Sequence, residues 1–168
     1  MKLQDVNKAR YRKHLNIVIA ALIISLMILG VGFGQVLIAL LSDGQGSHFI
    51  YNITGVIAAA LICGKVVHSV KGHDFMVEVY YVWQLKQGLN AIYRKLKKIE
   101  TARDEGDINA LIVLNYYYSG SEQLLNLDDN TITMDSLNKN KDTLQSLIAS
   151  KNLNVSVDDY SADLLAGF

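Results

Sequence analysis

Four residues able to bind metal or move protons cluster after the last long apolar run: His68, His73, Asp74 and Glu78, with the lone Cys63 upstream. A zinc site needs three or four such ligands brought to one point. His73 and Glu78 are five residues apart, as are Cys63 and His68, and neither pair shares a helix face. This spacing reads as polar residues where a segment leaves a membrane. Asp128-Asp129-Asn130 has the residue types of a calcium loop but lacks its ligand spacing and distal glutamate. Gly30, Gly32 and Gly34 lie inside an apolar run with no Lys-Ser/Thr after them, so they cannot form a phosphate loop. No nucleophile elbow, H-E-x-x-H or dinucleotide fingerprint occurs. The expectation is a non-enzymatic chain with no cofactor, no metal and no evident small-molecule substrate.

The elements around these residues are set by composition. Of 168 residues, 51% are hydrophobic, and there is no proline to interrupt long helices. The mean hydropathy of +0.20 is concentrated between Leu15 and Val70. Net charge is zero but segregated: residues 1–103 carry 13 Lys/Arg against 5 Asp/Glu, and residues 104–168 carry 3 against 11. A single cysteine rules out an internal disulfide and any multi-cysteine cluster.

Leu15–Leu41 holds no charged residue. Its length, about 40 Å at 1.5 Å per residue, exceeds the roughly 30 Å hydrocarbon core, and tilt absorbs the excess. It is too long for the apolar core of a cleaved signal peptide. A second run, Phe49–Val70, is interrupted only by Lys65 and His68 near its end, where side chains can snorkel to the headgroups. An interfacial or re-entrant helix is the alternative for this weaker span. Between the runs, Ser42–Ser47 (SDGQGS) has turn chemistry and no Lys or Arg. Lys2, Lys8, Arg10, Arg12 and Lys13 precede the first run; Lys65, Lys71 and Lys86 sit at or beyond the end of the second. The positive-inside rule then places both termini in the cytoplasm. Gly30 and Gly34, Gly55 and Ala59, and Ala60 and Gly64 repeat a small-x-x-x-small spacing. This spacing packs transmembrane helices closely, either within the hairpin or against a second copy or partner.

After the spans, a third helix is expected to start at His73 or Asp74. Val82, Leu85, Leu89, Ile92, Leu96 and Ile99 form an apolar stripe on it, to be buried by helix pairing. Arg94, Lys95, Lys97 and Lys98 lie beside the other face and suit anionic lipid or the acidic tail better than nucleic acid. Tyr80, Tyr81 and Trp83 fit an interfacial or core aromatic cluster. Asp104–Asp107 reads as a turn with Asp107 as N-cap. The next stripe runs Ile108, Leu111, Leu114 (or Asn115), Tyr118 and Leu125, completing an αα-hairpin. Tyr116-Tyr117-Tyr118 covers most of a helical turn, so the three cannot share one buried face. A sparse stripe (Leu137, Leu144, Leu147, Ile148) predicts a short helix over 135–150. The acidic remainder reads as a disordered tail, with docking on the basic third helix or a degradation signal as alternatives.

The fold class expected is all-α: a transmembrane hairpin in residues 1–72 (spans about 15–41 and 49–70), an αα-hairpin in 73–128, and a short helix with an acidic tail in 129–168. Ala102, Gly106, Ala110, Leu114, Tyr118 and Gly120 resemble one degenerate Sel1-type, tetratricopeptide-like repeat. A solenoid needs about three copies, so the likeness implies helix–turn–helix geometry and no repeat function. The stretch from HDFMVEVYYVWQLKQGLNAIYRKLKKIETARDEG to NLDDNTIT, with MKLQDVNKARYRKHLN and GFGQVLIAL, resembles a bacterial family of uncharacterised inner-membrane proteins, a domain of unknown function. The resemblance implies a two-span protein and brings no catalytic residues with it. The role expected is a membrane-anchored interaction or regulatory protein. Its partners would be membrane lipid and either a second copy or another membrane protein. An accessory subunit of a transporter or envelope complex is the alternative.

Overall fold

The structure, a computed structural model, describes residues 2–168 and is all-helical, with no strand among the described residues. Its helices are α1 (Lys8–Leu41), α2 (Phe49–Val70), α3 (Val77–Tyr93), α4 (Leu96–Glu105), α5 (Ile108–Asp128) and α6 (Met134–Ser150). Two short 3-10 turns, Val157–Asp159 and Ala162–Gly167, follow. Contacts divide the described residues into two compact units, residues 9–79 and residues 2–8 with 80–168.

In the first unit, α1 and α2 are long and apolar enough to cross a membrane, the two such helices among the described residues. The loop between them is tied by its own side chains. Ser42 Oγ accepts from the Gly44 amide (3.1 Å), Asp43 from the Gln45 amide (3.1 Å), and Ser47 Oγ from the Phe49 amide at the start of α2 (3.3 Å). Gly44 and Gly46 adopt φ of 78° and 82°, a region glycine enters without a Cβ penalty.

The helices meet through glycine. A methyl carbon placed on Gly55 would lie 2.5 Å from the Gly34 nitrogen and 2.8 Å from the Gly30 carbonyl oxygen. Gly30, Gly34, Gly55 and Ala59 are buried there, whereas Ala60 and Gly64 are exposed on α2. Elsewhere the surfaces are apolar and uncovered: Leu40, Ile50 and Leu61 are 75%, 72% and 71% exposed.

The expected third helix is divided, and it begins later than the sequence suggested. His73 Nδ1 accepts the amide of Phe75 (3.2 Å), a local bond that competes with helix continuation just after Gly72, and α3 starts at Val77. A second break falls at Arg94 and Lys95, where Lys95 takes φ −109°, ψ 3° and its amide bonds the Ile92 carbonyl. No glycine or proline marks that break. Ile92 and Ile99, both fully buried, sit on either side of it.

In the second unit α5 is the hub. α4, α6 and both 3-10 turns pack on it. Leu85 and Leu89 of α3 reach Gly120, where an added methyl would meet their side chains at 3.3 and 3.0 Å. Ala110, Leu111, Val113, Leu114, Asn115, Tyr116, Tyr118, Gly120 and Leu127 are all buried. A helix buried on successive positions is surrounded rather than laid on a surface. Its start is as the residues predict: Gly106 is left-handed (φ 91°), and Asp107 accepts from the amides of Asn109 (2.6 Å) and Ala110 (3.3 Å).

Candidate functional site

Three places in the molecule hold the residues singled out for chemistry or contact. The first lies at the foot of the hairpin. Arg10 Nε is 3.0 Å from Glu78 Oε1, and an Arg10 terminal nitrogen donates to the Asp74 carbonyl (3.3 Å). His14 stacks on Phe75 with ring centroids 4.0 Å apart, and its Nδ1 lies 3.8 Å from Glu78 Oε2. Those last two atoms are buried and make no hydrogen bond. His68 is turned to Lys71 Nζ (3.4 Å), away from any shared centre. No group of three or more His, Cys, Asp or Glu able to hold a metal occurs among the described residues. The carboxylate of Glu78 is instead an ion-pair partner. Arg10, on α1, is its partner, with the His14 ring beside it, and neither carries a pattern that sequence reading could have matched to it.

The second place is the docked end of the chain. The acidic segment expected as a disordered tail is ordered and lies on α5. Tyr160 stacks on Tyr116 at 3.9 Å between centroids, and both are buried. Lys95 Nζ donates to the Leu165 carbonyl (2.7 Å), and Lys98 Nζ to the Phe168 carbonyl (3.0 Å). Of the four basic residues, Arg94 and Lys97 are exposed, while Lys95 and Lys98 hold the tail. Asn115, the buried polar residue of α5, joins three segments. Its Oδ1 accepts from Gln145 of α6 (2.9 Å), and its amide donates to the Val155 carbonyl (3.4 Å). The physical reason for order is this set of partners: aromatic stacking, two lysine clamps and a satisfied buried amide offset the entropy of fixing the segment.

The first residues join the same unit. The Gln4 amide donates to the Tyr81 hydroxyl (2.8 Å), Tyr81 donates to Gln123 Oε1 (3.1 Å), and the Gln123 amide returns to the Gln4 carbonyl. Lys2 pairs with Asp158 (3.7 Å), Lys8 with Asp129, and Lys86 with Asp128 (2.9 Å). The basic start and acidic end of the chain are thus partners. Nothing in residues 2–8 marks this; only the opposite charges of the two segments hint at it.

The third place is an open groove of about 570 Å³ along α5. Leu89, Tyr93, Tyr117, Tyr118, Leu125 and Leu137 give it an apolar and aromatic lining, with Lys86 and Glu100 among its polar members. Burial raises the phenol pKa of Tyr117 and Tyr118, and the Glu100 carboxylate adds to both shifts. Tyr116 is pushed up further by burial and then by the neighbouring Tyr160 and Tyr81 phenols. These phenols stay neutral hydrogen-bonding groups throughout the physiological range. The stripe residues Val82, Leu85, Leu89, Ile92 and Ile99 are buried, and Leu96 is half-buried at the groove. Of the tyrosine triplet, Tyr116 and Tyr118 are buried on different sides of α5 and Tyr117 is half-buried, which a surrounded helix permits.

No curated protein and no solved structure matches this sequence. A family model does, over residues 1–165, and the chain belongs to the family it describes, Protein of unknown function (DUF3087).

Proposed function

We propose that this chain is a non-enzymatic, membrane-anchored interaction protein of the bacterial inner membrane, with α1 and α2 as a double-span anchor and the helical unit as its working part. The observation that carries this is the open, aromatic-lined groove on a helical unit joined to two bilayer-length apolar helices. Grooves of this kind bind apolar side chains of a protein partner, with tyrosine hydroxyls and rim charges fixing orientation. Residues 2–8 share a compact unit with residues 80–168, which supports both ends of the hairpin lying on one face of the bilayer. The positive-inside rule makes that face cytoplasmic.

The test is a photo-crosslinking amino acid at Tyr93, which lines the groove and is 62% exposed, in native membranes. The expected result is a discrete crosslinked protein, or a dimer of this chain, lost when Leu125 is changed to Asp. A monomer with no crosslinked species from any groove position overturns the reading.

A second reading, an accessory subunit held through its spans, is favoured by one observation. Ala60 and Gly64 form a small-residue row on α2 that faces outward, unused by the hairpin. Replacing the hairpin with an unrelated one separates the two readings. Partner capture that survives the swap supports the groove, and capture that is lost supports the spans.

A further inference from the structure

Below their glycine crossing α1 and α2 part, and we infer that the wedge between them seats an acyl chain of a membrane phospholipid. The inference rests on the reading that these helices cross a bilayer. Gly30 and Gly34 press on Gly55 at the crossing. From there back to Tyr11 no residue of α1 is buried, and on α2 none is buried beyond Ala59. The space between holds about 370 Å³, walled by Ile17, Val18, Leu22 and Leu29 on one side and by Val66 and Val67 on the other. Phe75 and Met76 line its far end. Ala21 and Cys63, small residues on its two walls, keep it open.

Three features select the occupant. The lining offers a hydroxyl (Ser25) and a thiol (Cys63) but no charged group. An apolar cavity of this kind excludes water, and leaving it empty forfeits the dispersion contacts of its walls. Its length matches one leaflet. Ile17 to Leu29 spans about 18 Å at 1.5 Å per residue, against about 15 Å for half a hydrocarbon core. Its polar end matches a phosphate. Lys13 is exposed one helical turn before Ile17 on the same face of α1, at the depth where a headgroup would lie. A straight apolar chain with an anionic head satisfies all three.

The experiment uses the full chain extracted in mild detergent and weighed by native mass spectrometry, in four forms: unaltered, Ala21→Trp, Cys63→Trp and Ala60→Trp. The last places the same bulk on the outward face. The unaltered chain and Ala60→Trp should retain a single phospholipid, and the two wedge-filling variants about ten-fold less. A phospholipid carrying a photoreactive group in its acyl chain should label Val18, Leu22 and Val67 in preference to the outward Ile23 and Leu61. This second readout requires no variant to fold. Equal retention by all four forms, no retained lipid, an isoprenoid quinone in its place, or even labelling of inner and outer faces overturns the assignment. Alkaline carbonate washing of the membranes separates the two levels. If the chain stays with the membrane while lipid retention fails, the wedge assignment falls and the anchor stands; if the chain is washed off, both fall.

Discussion

Between α1 and α2 the closest contact is backbone against backbone at glycine; around α5 the chain touches itself almost entirely through side chains. In the hairpin, glycine lets two backbones approach within van der Waals contact while Leu40, Ile50 and Leu61 stay uncovered. In the helical unit, Leu111, Leu114 and Tyr116 are enclosed by neighbouring helices and the terminal segment. The difference is the one expected if the hairpin lies in lipid and the helical unit in water, as the anchor reading proposes. In water, apolar surface drives association and large side chains fill the core. In lipid that drive is absent, and close backbone packing takes its place. Under the anchor reading proposed above, the large aliphatic side chains that the hairpin leaves exposed are the surface that hydrocarbon would cover.

Mutations can break this comparison or sharpen it. The largest effect is expected from Leu114→Ala, which empties a fully buried position of α5 and should cost about 2–5 kcal/mol. Amide exchange along α5 should accelerate accordingly while the distance between α1 and α2 is unchanged. Gly55→Ile should do the reverse. Its side chain cannot fit against the Gly34 backbone, so α1 and α2 must separate by a few ångströms. Spin labels at Val36 and Ile53 in a Cys63→Ala background would read that separation; an unchanged distance would mean that the glycine contact does not set the hairpin. The same bulk at Gly64, where an added methyl meets nothing, should leave the distance as it was.

Asp107→Ala removes the acceptor of two N-terminal amides of α5 and should cost about 1 kcal/mol in thermal or denaturant unfolding. A pH series tests the aromatic contacts of the helical unit. Burial raises the pKa of Tyr116 and of Tyr160 above that of an unfolded tyrosine. The folded unit therefore keeps protons that the unfolded chain loses. Its stability is whole below about pH 10 and falls as pH rises through the folded values. Tyr116→Phe should flatten that fall. The smallest effect is expected from Lys98→Gln: global stability should stay within about 0.5 kcal/mol, while amide exchange in residues 160–168 quickens.

Much of the fold is legible locally. The charge-free run Leu15–Leu41, the turn SDGQGS and the run Phe49–Val70 announce two long helices and their connection, because hydropathy and turn chemistry act over a few residues. Gly106 and Asp107 announce the start of α5 for the same reason, and the stripe Leu137, Leu144, Leu147 and Ile148 announces α6, with Leu147 half-buried and the other three buried. The apolar stripe from Val82 to Ile99 identifies what must be buried without revealing that two helices share it. The candidate groove is less legible. Its stripe residues are marked in the sequence, but its walls come from α3, α4, α5 and α6 together, and no periodicity within one segment reports the space left between several.

The sequence by itself thus determined helix content, the two long apolar helices, the SDGQGS turn and the cap at Gly106 and Asp107, and the residues that need partners. Each of those follows from interactions between near neighbours in the chain. Tertiary structure alone decided who the partners are. It broke the third helix at Lys95 with no glycine or proline present, brought residues 2–8 to Tyr81 and Gln123, and surrounded α5 instead of pairing it once. It also ordered the acidic terminal segment through Tyr116, Asn115, Lys95 and Lys98. Those outcomes depend on contacts between residues far apart in the chain, Gln4 and Gln123 among them at 119 positions. Their energy exists only once the surfaces are assembled, so no local pattern carries them.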